Sequence, residues 1–105
     1  MIHKPADAQP REFKGVRFDL LITGEKSMLT RMYFSAGQSV PRHQHPHEQT
    51  DYVLSGRYRL HVGHHTGALE PGDSYNVPSG VRHALEVLEP GQILDFFTPP
   101  RVDYR

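Results

Sequence analysis

The sequence predicts an all-β chain folded as a small sandwich or barrel, and three observations carry that prediction. Nine glycines and nine prolines among 105 residues leave few uninterrupted stretches that could hold a helix. Runs of β-forming residues recur at roughly 8–12-residue spacing with a turn signal between them. No apolar stripe at helical period is long enough to compete with that pattern. The length favours one domain, viable without staples.

Residues 1–12 are polar and carry Pro5 and Pro10, so they read as an N-terminal arm, extended or disordered, ahead of a single domain at 13–105. Val16 to Thr23 is a strand candidate, and Leu29 to Phe34 is a second, bounded by Gly24 and Gly37 although Leu29, Met32 and Phe34 do not alternate cleanly. Tyr52-Val53-Leu54 leads to a Ser55-Gly56 turn, after which Tyr58, Leu60 and Val62 alternate with Arg57, Arg59 and His61, a strand with one wet face. Gly63 to Gly67 reads as a loop, and Glu70-Pro71-Gly72-Asp73 as a turn. A short strand over Ser74–Val77 ends at Pro78. Val81, His83, Leu85 and Val87 share a face of the next strand, and Ile93, Asp95 and Phe97 share a face of the last.

Composition excludes several classes of function. There is no cysteine, so any metal must be held by imidazole, carboxylate or amide. Twelve basic residues balance twelve acidic ones without a long block of either sign, which argues against a nucleic-acid or anionic-membrane surface. No apolar run approaches the ~20 residues of a membrane span, and the opening MIHKPADAQPREFKG lacks the apolar stretch of a secretory signal. A cytoplasmic location is the resulting expectation.

Chemistry concentrates in two histidine clusters framed by glycines. The first runs Gly37-x5-His43-x-His45-x3-Gln49-x6-Gly56, the second Gly72-x5-Pro78-x-Gly80-x2-His83. Period-2 geometry puts His43, His45, His47 and Gln49 on one parity, although Pro46 interrupts the ladder and leaves His47 undecided. His83 stands among Val81, Leu85 and Val87 on an inward face, where an unpaired imidazole is costly. A metal shared with His43 and His45 would give it a partner. His61, His64 and His65 lack such a frame and read as solvated, and His3 as part of the arm.

These two motifs resemble the signature motifs of the cupin superfamily, small jelly-roll barrels (double-stranded β-helices) with a central metal. The resemblance implies a site of His43, His45, Gln49 and His83 around one divalent transition-metal ion, whether Ni, Zn, Fe, Mn or Cu. Gln49 departs from the usual glutamate. Its neutral carbonyl neutralises less charge and would leave the ion a stronger Lewis acid.

The tail adds three candidates. Asp95 shares its face with Ile93 and Phe97, and a carboxyl among apolar neighbours has a raised pKa that suits proton transfer, unless a neighbouring arginine pairs with it. Arg101 follows Pro99-Pro100 and either forks onto a substrate carboxylate or is an exposed tail charge. Phe97 reads as core on general grounds. Together, the HPHEQ core, the PGDSY-x-VP-x-GVRH stretch and the D-x-F-x-PPR-x-DY tail resemble the KdgF family of pectin-degradation cupins. That resemblance implies conversion of cyclic 4,5-unsaturated uronates, released from pectin or alginate, into linear keto forms. Asp95 and Arg101 would then be catalytic, with Phe97 and Arg101 against the substrate. The alternatives are a quercetinase-like dioxygenase, which would consume oxygen, and a non-catalytic cupin that binds a small molecule. A homodimer is expected, because small barrels often lend strand material like that in residues 1–34 to a neighbour.

Overall fold

The computed structural model describes all 105 residues. Ten strands follow one another: β1 (Gln9–Phe13), β2 (Val16–Thr23), β3 (Met28–Phe34), β4 (Ser39–His43), β5 (Glu48–Val53), β6 (Arg57–Val62), β7 (His65–Leu69), β8 (Ser74–Val77), β9 (His83–Glu89) and β10 (Gly91–Thr98). Short 3-10 turns at Pro5–Asp7 and Val102–Tyr104 flank them, and no helix is long and apolar enough to cross a membrane. Six strands form one antiparallel sheet in the order β1-β2-β3-β10-β5-β8, and four form the other in the order β4-β9-β6-β7. Partners distant in sequence, such as β3 with β10 and β4 with β9, wrap the two sheets into the expected jelly roll.

Alternation decides what faces the interior. β10 buries Ile93, Asp95 and Phe97, and β9 buries His83, Leu85 and Val87, as their spacing predicts. β3 buries Met28, Thr30, Met32 and Phe34. Its alternation is regular once the strand starts at Met28 and Thr30 is counted as inward. Phe18, Val53, Tyr58 and Ile93 are fully enclosed in the core between the sheets. Burying each such side chain contributes about 1.5–3 kcal/mol or more.

Two stretches differ from expectation. The Gly63–Gly67 segment is not a loop throughout: Val62 pairs with His65 and Leu60 with Gly67, so Gly63-His64 alone makes the turn. Gly63, with φ 58°, supplies the positive φ that a two-residue hairpin connection needs at its first position. The N-terminal arm is extended but not free. From Gln9 it joins the sheet along the ladder Gln9↔Leu20 to Phe13↔Val16. As an edge strand it tolerates Pro10, and the Arg11 Nε–H donates to the Tyr104 carbonyl at 3.1 Å, tying arm to tail.

The framing glycines are explained by their backbone. Gly37 and Gly56 both adopt positive φ, 79° and 89°. A Cβ on Gly37 would meet nothing within 4 Å, whereas one on Gly56 would lie 2.6 Å from the Tyr58 hydroxyl and 2.8 Å from the Glu89 carbonyl. Chemical denaturation should therefore separate them. Gly37→Ala should cost about 1 kcal/mol, the left-handed penalty alone, and Gly56→Ala roughly 3 kcal/mol, because overpacking adds to it.

Candidate metal centre

Three imidazoles converge inside the barrel although only two stand on strands. His43 ends β4, His83 opens β9 directly opposite it, and His45 sits in the loop leading to β5. Pro46 does interrupt the strand, and other contacts hold the loop in place. The Gly80 N–H donates to the His45 carbonyl at 2.9 Å, and the Ser79 hydroxyl donates to the Pro46 carbonyl.

Each ring is oriented by its own backbone. The Nδ1 atoms of His43, His45 and His83 lie 2.8, 3.0 and 3.0 Å from the carbonyls of Pro41, His47 and Val81. A carbonyl only accepts, so each Nδ1 carries the proton and each Nε2 keeps a lone pair. One ring nitrogen from each histidine lies within 4.8 Å of the others. His47 contributes its carbonyl to this arrangement, and its half-buried ring stays outside the trio. His61, His64 and His65 are elsewhere, on and beside the β6–β7 hairpin, with His61 within 3.4 Å of Glu86.

Gln49 completes the constellation. Its Oε1 lies 3.1 Å from His45 Nε2, and its Nε2 donates to Asp51 Oδ2 at 2.7 Å. Two acceptors thus face each other unless a cation lies between them. A proton does not serve at neutral pH. Burial, helped by the positive charge of Arg101, lowers the His45 pKa to about 4, and burial likewise takes His83 to about 4. His43 is lowered too, chiefly by burial. Neutral imidazoles anchored through Nδ1 and an amide oxygen make a donor set that fits a divalent transition metal.

A polar row crosses the sheet just behind this trio. Register places Thr30, Asp95, Asp51 and Tyr75 side by side on β3, β10, β5 and β8. Asp51 and Asp95 are both buried, and burial raises both carboxyls, Asp95 well above the usual range because Asp51 also lies beside it. No arginine forms an ion pair with Asp95, and the positive charge of Arg101 lowers its pKa only in part against these effects. Burial and the neighbouring Asp51 both favour its protonated form. Tyr75, opposite Asp51 on the neighbouring strand, is pushed well up by burial and by the two carboxylates. Asp51 and Tyr75 are not evident in the motif reading, yet Asp51 follows Gln49 by two residues and so must share its face.

Arg101 is buried, at 5% exposure, not an exposed tail charge. Its Nε and Nη2 fork onto Asp103 at 3.2 and 2.7 Å, and its Nη1 donates to the Tyr104 hydroxyl at 3.0 Å. The guanidinium also stacks over the rings of Tyr104, Phe13 and Phe97, 4.0, 5.1 and 5.3 Å from their centroids. Phe97 is core and site at once, at 1% exposure with its ring 5.8 Å from that of His45. His43, Gln49, His83, Asp95, Phe97 and Arg101 line one interior cavity.

This chain belongs to the cupin domain family, whose profile matches residues 30–97. It resembles the pectin degradation protein KdgF of Dickeya dadantii, with 27% identity over 92 residues, 86% of this chain and 84% of that protein. A shorter stretch of 59 residues, 55% of the chain, is 43% identical to the dimethylsulfoniopropionate lyase DddQ of Ruegeria pomeroyi, of which it spans 29%. In fold, the KdgF structure from a Halomonas species superposes with a TM-score of 0.88 at 24% identity, over 98% of this chain and 96% of that one.

The depressed histidines make a sign-definite prediction. With folded values near 4 for His83 against 6.5 unfolded, the unfolded chain takes up a proton first on acidification. Metal-free protein should lose up to roughly 3 kcal/mol through this histidine as pH falls from about 6.5 toward 4. Thermal denaturation of His83→Gln beside the natural chain isolates the effect: the variant gains relative stability as pH drops. A difference that stays constant with pH would mean that His83 titrates like a solvated imidazole.

Proposed function

We propose that this chain is a metal-dependent cupin enzyme acting on 4,5-unsaturated uronate monosaccharides from pectin or alginate, converting them to linear keto forms by hydration or ketonisation and ring opening. The observation that carries this reading is that Asp95 and Arg101 line the same cavity as His43, Gln49 and His83, in a chain similar to a pectin degradation protein over most of its length. His43, His45, Gln49 and His83 would hold one divalent ion, Ni, Zn, Fe, Mn or Cu. Such an ion supplies Lewis-acid polarisation of substrate oxygens when bound.

The remaining work falls to the chain's own groups. Arg101 spends three N–H bonds on Asp103 and Tyr104. A guanidinium has five, so two remain for the uronate carboxylate. Asp95, kept protonated by burial and by Asp51, is the group to protonate the double-bond carbon remote from the ring oxygen. Water then adds at the other carbon, and cleavage of the ring C–O bond releases the keto form. Asp51, beside Asp95, can take part in returning the proton. Phe97 and Tyr104 wall the cavity and limit the water that enters it. In this reading the protein acts in the cytoplasm as a homodimer, with no nucleic-acid or membrane partner. The exposed Tyr52 and Phe96 on the outer face of the larger sheet support self-association.

The dimethylsulfoniopropionate lyase similarity favours a second reading, a lyase acting on another small carboxylate. Ultraviolet absorbance of an unsaturated uronate distinguishes them: the protein should accelerate its loss, EDTA should abolish that acceleration, and dimethylsulfoniopropionate should not be consumed. Asp95→Asn should lower kcat at least about a hundredfold while metal content is unchanged. Loss of metal from that variant would make Asp95 structural instead.

A further inference from the structure

An amide side chain can present oxygen or nitrogen, and only the oxygen offers a lone pair that a cation can use. Something must choose between the two ends of Gln49. Asp51 follows it by two residues, and β5 is regular there: Gln49 pairs with Val77 and Phe97, Asp51 with Tyr75 and Asp95. Both side chains therefore point inward, and both are buried, at 7% and 4% exposure. The 2.7 Å bond from Gln49 Nε2 to Asp51 Oδ2 occupies the nitrogen end and turns Oε1 to within 3.1 Å of His45 Nε2. Rotating the amide by half a turn would break that bond and set the amide oxygen against the Asp51 carboxyl, a costly exchange between two buried side chains.

We infer that Asp51 is a positioning residue that fixes which atom Gln49 turns toward the histidines, so that Gln49 and Asp51 form one coupled pair. The inference rests on reading the three-histidine site as a metal centre. It also accounts for an amide at position 49. A glutamate there would add a third carboxyl to the Asp51–Asp95 pair inside the barrel, and like charges so close cannot all persist.

Cobalt(II) titration of metal-free protein tests this, with affinity read by calorimetry, coordination by the visible d–d bands, and folding by a denaturation curve for each variant. Asp51→Asn keeps an acceptor oxygen and should bind within about threefold of the natural chain, with the same bands. Asp51→Leu should bind roughly 10–100-fold more weakly, with altered bands as the amide oxygen is released. Gln49→Glu should bind no tighter than the natural chain, whereas Gln49→Glu combined with Asp51→Asn should bind at least about tenfold tighter than Gln49→Glu alone. Unchanged affinity and bands in a folded Asp51→Leu variant would overturn the positioning role, as would purely additive effects in the double variant. Should Asp51→Leu not fold, the position-49 series decides by itself. If the natural chain takes up no cobalt at all, the metal reading falls and this inference with it.

Discussion

Everything in the candidate site depends on three hydrogen bonds that use no side-chain partner. Pro41, His47 and Val81 offer carbonyls that sit two residues from the histidine each one orients, before it or after it. An imidazole bonded at Nδ1 cannot rotate without losing that bond, and it has only one tautomer open to it while neutral. The inward lone pairs are thus set by backbone conformation, which the jelly roll fixes through β4 pairing with β9 and the turn at Gly80. Such orientation of ligands by outer partners is what a metal site needs if it is to form without reorganisation. Burial then keeps the rings uncharged, so backbone geometry and desolvation act in the same direction.

The second constraint is the amount of charge that a barrel of this size can hold. The two carboxyls on the central row, Asp51 and Asp95, lie side by side with a phenol next to them. Desolvation raises both carboxyls, and repulsion from Asp51 raises Asp95 further, which favours a protonated form and lowers the interior charge. Arg101 brings the opposite charge to the same cavity, but Asp103 compensates it from the solvent side at 2.7 Å. Burial works against Asp103, yet the guanidinium outweighs it and holds the carboxyl below its ordinary value. A cation partly balanced from outside still presents positive potential inward, the polarity an anionic sugar acid would meet.

Parity in the sequence was enough to find most of this arrangement. Gln49, His83, Asp95 and Phe97 all face inward because each lies in register with obvious core residues on its own strand, and a two-residue period leaves no other face for them; His43 is out of step with Val40 and turns inward through the irregularity between them. Asp51 obeys the same rule as the first four, but it falls among the unspecified positions between Gln49 and Gly56 of the first motif. Only the pairing of β5 with β10 brings it against Asp95. Tyr75 reaches the row from β8, and no local pattern says which strand β8 will join. The short β7 and the edge strand β1 were obscured for another reason. Their faces are mostly exposed, so the alternation that marks a half-buried strand is missing. Long-range register, not local propensity, is the information that the chain keeps out of any short window.

Arg101 shows how the two kinds of information combine. Its position after Pro99-Pro100 suggests a tail leaving the barrel, yet Val102–Tyr104 turns back and seats Tyr104 among Phe13, Phe18 and Phe97, with ring centroids 5.7, 4.4 and 5.5 Å away. Four aromatic rings exclude water there, and the guanidinium lies over three of them. Phe13 closes β1, whose first four residues come from the arm, so this edge strand supplies part of the lid over Arg101. The N-terminal edge strand, the C-terminal turn and the cation-bearing wall are therefore one packed unit. Its stability rests on apolar contact, while its chemistry rests on the single charge enclosed within it.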